Sequence, residues 1–361
     1  MYKFFLTAIF SLLIFGSLSC DSKKDRENKP AVSSNEVILY NWKEYTSLET
    51  LKKFEKESGI KVILKEFETI DEQIGKLQSN PFFCDLTVID SHVAAGQYLS
   101  MKLITRLDLS KLKHIPLYEN HFKDFKEVGI PYSYGITGFA IDTRQVKKTY
   151  ENYSFLTDPA YKGKISFLDD QFDLFLDLLV ALNIDINSDI DPQTRLKLNV
   201  FVEQIKNNEC DFDETFTNLD KLVEGKKWIV QTYSGDAASY MKDHEYIAFI
   251  FNKNSYNAWS ETVCLTQNSP NKENAYKLLN FLSRPENAAA FSNEFYYANG
   301  IIGSSKFMDE ELKKNPLINI PEEIRKKGVF YLKSKDSNSL MQEIFSKISS
   351  LKKNDDNEKE D

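Results

Sequence analysis

Between Val37 and Ile89 short apolar runs alternate with amphipathic ones, which is the pattern that most limits what this chain can fold into. Val37 to Tyr40 has the β-branched and aromatic character of a strand. Thr46 and Glu49 have capping-box spacing. Leu48, Leu51 and Phe54 then fall on one helical face, and Gly59 supplies a helix stop. Lys61 to Phe67 predicts a second strand, Ile70, Ile74 and Leu77 a second helix, and Leu86 to Ile89 a third strand. Strands separated by helices predict a mostly parallel sheet, because parallel neighbours need a crossover.

The pattern recurs. Lys164 to Leu168 reads as a strand feeding an apolar helix that runs through Leu182. Trp228 to Thr232 and Tyr246 to Phe251 read as strands around a helix containing Ala237, Ala238 and Met241. Gly135 to Asp142 and Trp259 to Thr266 are β-rich passages between the halves and are expected to be crossovers. The helix Ala275 to Leu282, stopped by Pro285, is expected in the first half. The 361 residues are too many for one small core and suit two α/β lobes.

The first residues read as an export signal. Lys3 is followed by an apolar run from Phe4 to Phe15, too short to span a bilayer. Gly16, Ser17 and Ser19 lead to Cys20, which resembles the lipidated cysteine of a lipoprotein, with Leu18 one place later than the usual bulky residue. Plain secretory cleavage is the competing reading. The expected organisation is a signal peptide (1–19), a polar tether (20–35), lobe 1 (36–137 plus 262–304), lobe 2 (138–261 plus 305–351) and a charged tail (352–361). The protein is expected in the periplasm, lipid-anchored to a membrane through Cys20. Cys84, Cys210 and Cys264 match no metal motif. A net charge of −8 without a basic stripe argues against nucleic acid.

Ligands of open parallel sheets sit beyond the carboxyl ends of the strands. There the first strand delivers Trp42, Lys43, Glu44 and Tyr45, and the third delivers Asp90, Ser91 and His92. The strand ending at Leu168 delivers Asp169, Asp170 and Asp173, and the one ending at Thr232 delivers Tyr233. The second crossover carries Trp259 and Glu261 on one face. The set is aromatic and acidic and has no glycine-rich phosphate loop. A cation with apolar parts fits it: carboxylates pair with ammonium groups, and aromatic faces pack methylene chains. Each residue also has a plainer role. Trp42, Tyr233 and Trp259 can serve a core, Asp170 and Asp173 can be N-cap and N3 of a helix, Glu44 can face solvent and His92 can be structural.

Three rivals remain at this level. Adjacent Tyr296 and Tyr297 suit ferric iron, although no second ligand cluster is evident. Paired acids beside aromatic platforms suit a secreted glycan-acting hydrolase. An adhesive surface lipoprotein would use the sheets only as scaffold. No Gly-x-Ser-x-Gly, His-Glu-x-x-His or credible cysteine–histidine pairing is present, and no cofactor or metal is expected.

The motifs Tyr40-Asn41-Trp42-Lys43-Glu44-Tyr45, Ile130-Pro131-Tyr132 with Gly135, Asp158-Pro159-Ala160-Tyr161-Lys162-Gly163-Lys164 and Asn280-Phe281-Leu282-Ser283-Arg284-Pro285-Glu286 occur in the order found in the spermidine/putrescine-binding proteins of bacterial ABC importers. The chain resembles that family from about Val37 to Ser346. The resemblance implies an α/β two-lobed periplasmic-binding fold of type II, with a polyamine held in the interlobe cleft and hinge closure presenting the loaded protein to an ABC permease. It implies a non-enzymatic monomer. It carries ligand contact to Trp42, Tyr45, Asp170, Asp173, Trp259 and Glu261, puts a family tryptophan at Tyr233 and a family tyrosine at Tyr297. It puts a serine at Asp90, an aromatic at His92, a small hydroxyl residue at Lys43 and a glutamine near Tyr331. Two expectations follow from these departures: that Lys43 pairs with Asp90 and shortens the cleft in favour of putrescine, and that protonation of His92 weakens binding in mild acid.

Overall fold

The computed structural model describes residues 35–150, 152–331 and 338–349. The expected signal peptide, Cys20, nearly all of the tether and the charged tail lie outside the described residues. The strands are β1 (Glu36–Trp42), β2 (Lys61–Phe67), β3 (Leu86–Asp90), β4 (Gly129–Asp142), β5 (Ile165–Leu168), β6 (Asp211–Asp213), β7 (Ile229–Tyr233), β8 (Ile247–Ile250), β9 (Tyr256–Leu265) and β10 (Gly328–Phe330). The longer helices are α1 (Leu48–Ser58), α2 (Ile70–Ser79), α3 (Gln171–Ala181), α4 (Pro192–Lys206), α5 (Thr215–Val223), α6 (Ser234–Asp243), α7 (Lys272–Leu282), α8 (Pro285–Phe295) and α9 (Asn338–Ser349).

The strands run in the order β2-β1-β3-β9-β4-β7-β5-β6, with β10 beside β9 and β8 beside β4. Within each half the pairs are parallel, β1 with β2 and β3, and β5 with β6 and β7. The two long crossover strands are antiparallel to each other and to their neighbours β3, β7 and β8. The first half of β4 lies against β9 and its second half against β7 and β8, so one strand belongs to both lobes. Each lobe has its own core. Val37, Leu39, Leu51, Phe54, Val88, Leu279 and Phe281 pack in the first. Phe139, Ile165, Phe167, Leu174, Leu178, Val202 and Ile344 pack in the second. Each fully buried Leu or Phe of these cores contributes about 1.5–3 kcal/mol.

Two local expectations are corrected. The α1 cap is Ser47, whose hydroxyl accepts from Thr50 N, and not Thr46. The Thr46 hydroxyl is already engaged by Asn41 Nδ2 at 2.7 Å. Leu48, placed on the inner face by its spacing, is 56% exposed, and Thr50 is buried with Leu51 and Phe54 instead. The one-residue shift of the cap rotates Leu48 to the helix start. Gly59 ends the helix in the left-handed region at φ 68°.

Candidate ligand-binding site

The carboxyl ends of β1, β3, β5 and β7 and one face of the crossover pair β4/β9 meet between the lobes. Period-two alternation puts Asn257, Trp259 and Glu261 of β9 on one face and Tyr256, Ala258 and Ser260 on the other. Glu261 pairs in register with Ser133 of β4 and with Asp90 of β3.

At the first-lobe end, Glu261 Oε1 accepts from Trp42 Nε1 at 2.7 Å and Oε2 accepts from the Ser133 hydroxyl at 2.6 Å. Trp42 is held from behind. Asn41 is buried, accepts from Trp42 N, and donates to the Tyr45 carbonyl, the Thr46 hydroxyl and the Tyr132 hydroxyl. This knot bends the 43–45 segment back so that the Tyr45 ring packs beside Tyr132 and Tyr297. Burial pushes Glu261 up to about 7, against the two donors that favour its charged form.

At the second-lobe end, Asp173 is buried with three neutral donors. Thr137 and Asn257 donate to Oδ1 at 3.0 and 2.9 Å, and Tyr233 donates to Oδ2 at 2.8 Å. Burial and the neighbouring charge of Asp170 push it up to about 7. Asp170 is the N-cap of α3. Its Oδ1 accepts from Phe172 N and Asp173 N, and the side chain is otherwise exposed. In Asp170 the capping role coexists with an electrostatic one toward Asp173.

Three aromatic rings join the two ends. Trp259 meets Tyr233 edge-on at 5.8 Å and Tyr297 at 5.3 Å. Two glycines allow this. A Cβ on Gly135 would fall 2.5 Å from the Trp259 ring, and one on Gly235 would fall 2.5 Å from the Tyr297 ring.

Asp236, in the first turn of α6, was not foreseen. Burial pushes it up to about 7, and the Tyr297 hydroxyl offsets part of the rise. Its signal was available: Tyr233-x-x-Asp236 places an acid in the first turn of the helix after β7, as Asp170-x-x-Asp173 does after β5. Ser133, Thr137 and Asn257 were also missed, and each holds a site carboxylate.

Asp90 sits beside Glu261 in the ladder, and the remaining candidates fall outside the site. Asp90 is half-buried, is pushed up to about 6 by burial, and spends Oδ1 on the N–H groups of His92 and Val93. Contrary to the expectation above, Lys43 does not pair with Asp90. Its ammonium meets Glu68 at 2.5 Å, with both side chains exposed. Asp90 is drawn inward by the backbone it caps, while Glu68 lies at the open end of β2. Glu44 is exposed and holds a left-handed backbone at φ 56°, with its N–H on Glu66. His92 packs edge-on to Phe125 at 4.6 Å and against Phe330 at 5.3 Å. Phe330 pairs with Ala258, on the face of β9 away from Glu261. Burial pushes His92 down to about 4, which favours its neutral form in mild acid and argues against the expected His92 switch. Tyr331 meets Phe172 at the start of α3.

The site thus gathers Asp90, Asp173, Asp236 and Glu261, each raised by burial, and among the described residues no lysine or arginine forms an ion pair with any of them. Among those residues no group of metal-ligating side chains forms a metal site. Four desolvated acids without a cation, beside three aromatic rings, favour an incoming cation with apolar surface.

Residues 49–319 match the model of the family described as bacterial extracellular solute-binding protein. A putrescine/agmatine-binding protein of Pseudomonas aeruginosa PAO1 is 25% identical, over 90% of this chain and 92% of its own. The spermidine/putrescine-binding periplasmic protein of Escherichia coli K12 is 24% identical, over 88% and 92%. Among solved structures, the spermidine/putrescine transporter substrate-binding protein of Streptococcus pneumoniae superposes with a TM-score of 0.79 at 21% identity, covering 87% of this chain and 98% of its own. A lipoprotein of Treponema pallidum gives 0.77 at 17% identity, covering 87% and 99%. The solved relatives share the two-lobed fold. The relatives are transport binding proteins and not enzymes, and so is this chain. A match over well more than half of its length, with an α/β two-lobed fold, makes this chain a member of the bacterial extracellular solute-binding protein family.

Proposed function

We propose that the protein captures a polyamine, putrescine or spermidine, between its lobes and delivers it to an ABC importer. The observation that carries this is the set of desolvated acids, Asp173 buried and Asp236 and Glu261 half-buried, without an ion-paired lysine or arginine among the described residues and bridged by Trp259, Tyr233 and Tyr297. One ammonium meets Glu261 beside Trp42, and another meets Asp173, with Asp236 as a further acceptor. Asn257, which holds Asp173, and Glu261 are four residues apart on one strand, roughly 13 Å. That span suits a short diamine with a hydrogen bond at each end. Methylene groups pack on the aromatic rings. The names of the relatives, which bind putrescine, spermidine or agmatine, support the ligand class.

Closure on the ligand joins contacts from both lobes, here taken as 36–137 plus 262–304 and 138–261 plus 305–351, hinged on β4 and β9. The protein acts as a monomer outside the cytoplasm, tethered by lipid on Cys20. Loss of palmitate labelling in Cys20→Ala tests the tether.

Calorimetric titration of lipid-free protein with putrescine and spermidine, beside Glu261→Gln, tests the ligand. Tight binding that is lost in the variant supports the reading. Absence of heat and of any thermal shift with both polyamines refutes it.

A further inference from the structure

Asp177 lies in the interior of the second lobe, one turn of α3 beyond Asp173, and is 0% exposed. Its Oδ2 accepts from Gln231 Nε2 at 2.7 Å. Its Oδ1 is buried and has no partner. Among the described residues, the titratable groups found to act on it or feel its charge are Asp173 on its own helix and the phenol of Tyr153. On α9, packed against α3, Glu343 and Lys347 bond each other and, on α4, Arg195 and Asn199. On β4 the neighbouring polar group is Thr137, on β9 it is Asn257, and both donate to Asp173. An anion at 177 would thus be a second buried carboxylate beside Asp173, with only a neutral amide to compensate it. Such a group keeps its proton. Since Oδ2 accepts from the amide, the proton belongs on Oδ1.

Gln231 gives this acid a task. The backbone ladder between β5 and β7 covers only Ile165↔Ile229 and Ser166↔Val230. Beyond it the strands part, and Gln231 Oε1 accepts from Leu168 N at 3.1 Å in place of a ladder bond. Gln231 therefore ties the end of β5, just before Asp170, to β7, two residues before Tyr233. Asp177 fixes the far end of that amide.

We propose that Asp177 is a positioning residue: an uncharged, proton-holding acid that orients Gln231 and reserves the buried negative charge of this lobe for Asp173. The proposal rests on the polyamine reading only where ligand affinity is its readout.

The test compares wild type, Asp177→Asn and Asp177→Leu as full-length protein. Asn is neutral and can still accept from Gln231, so its putrescine affinity at pH 7.5 is expected to stay within about threefold of wild type. Leu is neutral but drops the amide, and a tenfold or greater loss is expected. A tenfold loss in Asp177→Asn, or unchanged affinity in Asp177→Leu, overturns the proposal. Urea unfolding without ligand at pH 8 and 9 reads the proton. A retained proton makes the wild-type unfolding constant rise about tenfold more per pH unit than that of Asp177→Asn. Equal slopes overturn the assignment. Should the variants not fold, ¹³C carboxyl spectra of wild type decide: one Asp resonance is expected to keep its protonated shift at pH 8.5, and ionised shifts for all would overturn it. If wild type binds no putrescine, the functional reading fails, while slopes and spectra still judge the proton on Asp177.

Discussion

Through Glu261 and Asp173 alone, lowering the pH from 8 to 6 should weaken polyamine binding about a hundredfold, to which Asp236, also pushed up to about 7, adds. Glu261 and Asp173 are both pushed up to about 7 in the unliganded site. An ammonium at each favours the charged form, so binding displaces any proton present. A group of pKa about 7 is almost fully ionised at pH 8 and about nine-tenths protonated at pH 6, which is about tenfold in affinity, or roughly 1.4 kcal/mol. Two such acids give about a hundredfold, or roughly 2.7 kcal/mol. At pH 7 each is half protonated, so about one proton should leave this pair per ligand. Titration calorimetry at pH 8, 7 and 6, in two buffers of different ionisation enthalpy, measures both quantities. Glu261→Gln should lower the logarithmic pH slope in whatever binding it retains. Constant affinity with no proton release would refute the claim that the ligand meets these acids as cation to carboxylate. Stability of the free protein should move the other way. An acid whose folded pKa is raised contributes stability at low pH that is lost as pH rises through the folded value. The ligand-free melting temperature should therefore fall as pH rises from about 5 to 7.5, the span between the ordinary carboxyl range and the raised values, while affinity rises.

Other outcomes follow from the same geometry. Asp236→Asn should weaken putrescine binding about tenfold by calorimetry without lowering the melting temperature, since the change removes a charge but keeps the shape. Gly235→Ala should displace the Tyr297 ring, which a Cβ would approach to 2.5 Å, and should cost about 1–3 kcal/mol in urea unfolding together with a loss of ligand affinity. His92→Gln should leave the pH profile of binding unchanged between pH 8 and 6, because burial holds His92 down near 4. Lys43→Ser should leave the putrescine/spermidine affinity ratio unchanged, since its partner is the exposed Glu68.

Local chemistry was enough to place most elements. The β1 and β2 segments, the Gly59 stop and the α7 helix follow from apolar period and special backbone needs, which neighbours within a few residues decide. The same holds for the motifs at the strand ends, because strand polarity alone sends Trp42, Asp170 and Tyr233 to one side. The sequence by itself thus determined two α/β lobes, their crossovers and the acidic, aromatic character of what lies between them. Tertiary structure decided which acids lack a cation. Lys43 chose Glu68 because Asp90 is turned inward by the N–H groups it caps. Glu261 meets Ser133 and Trp42 across more than a hundred residues, and Asp173 meets Asn257 across a comparable gap. Desolvation is a property of everything packed around a carboxylate, so no local window holds it. The helix-start position of Asp236 was legible, but its desolvation, like the unpartnered oxygen of Asp177, became visible only in the packed structure.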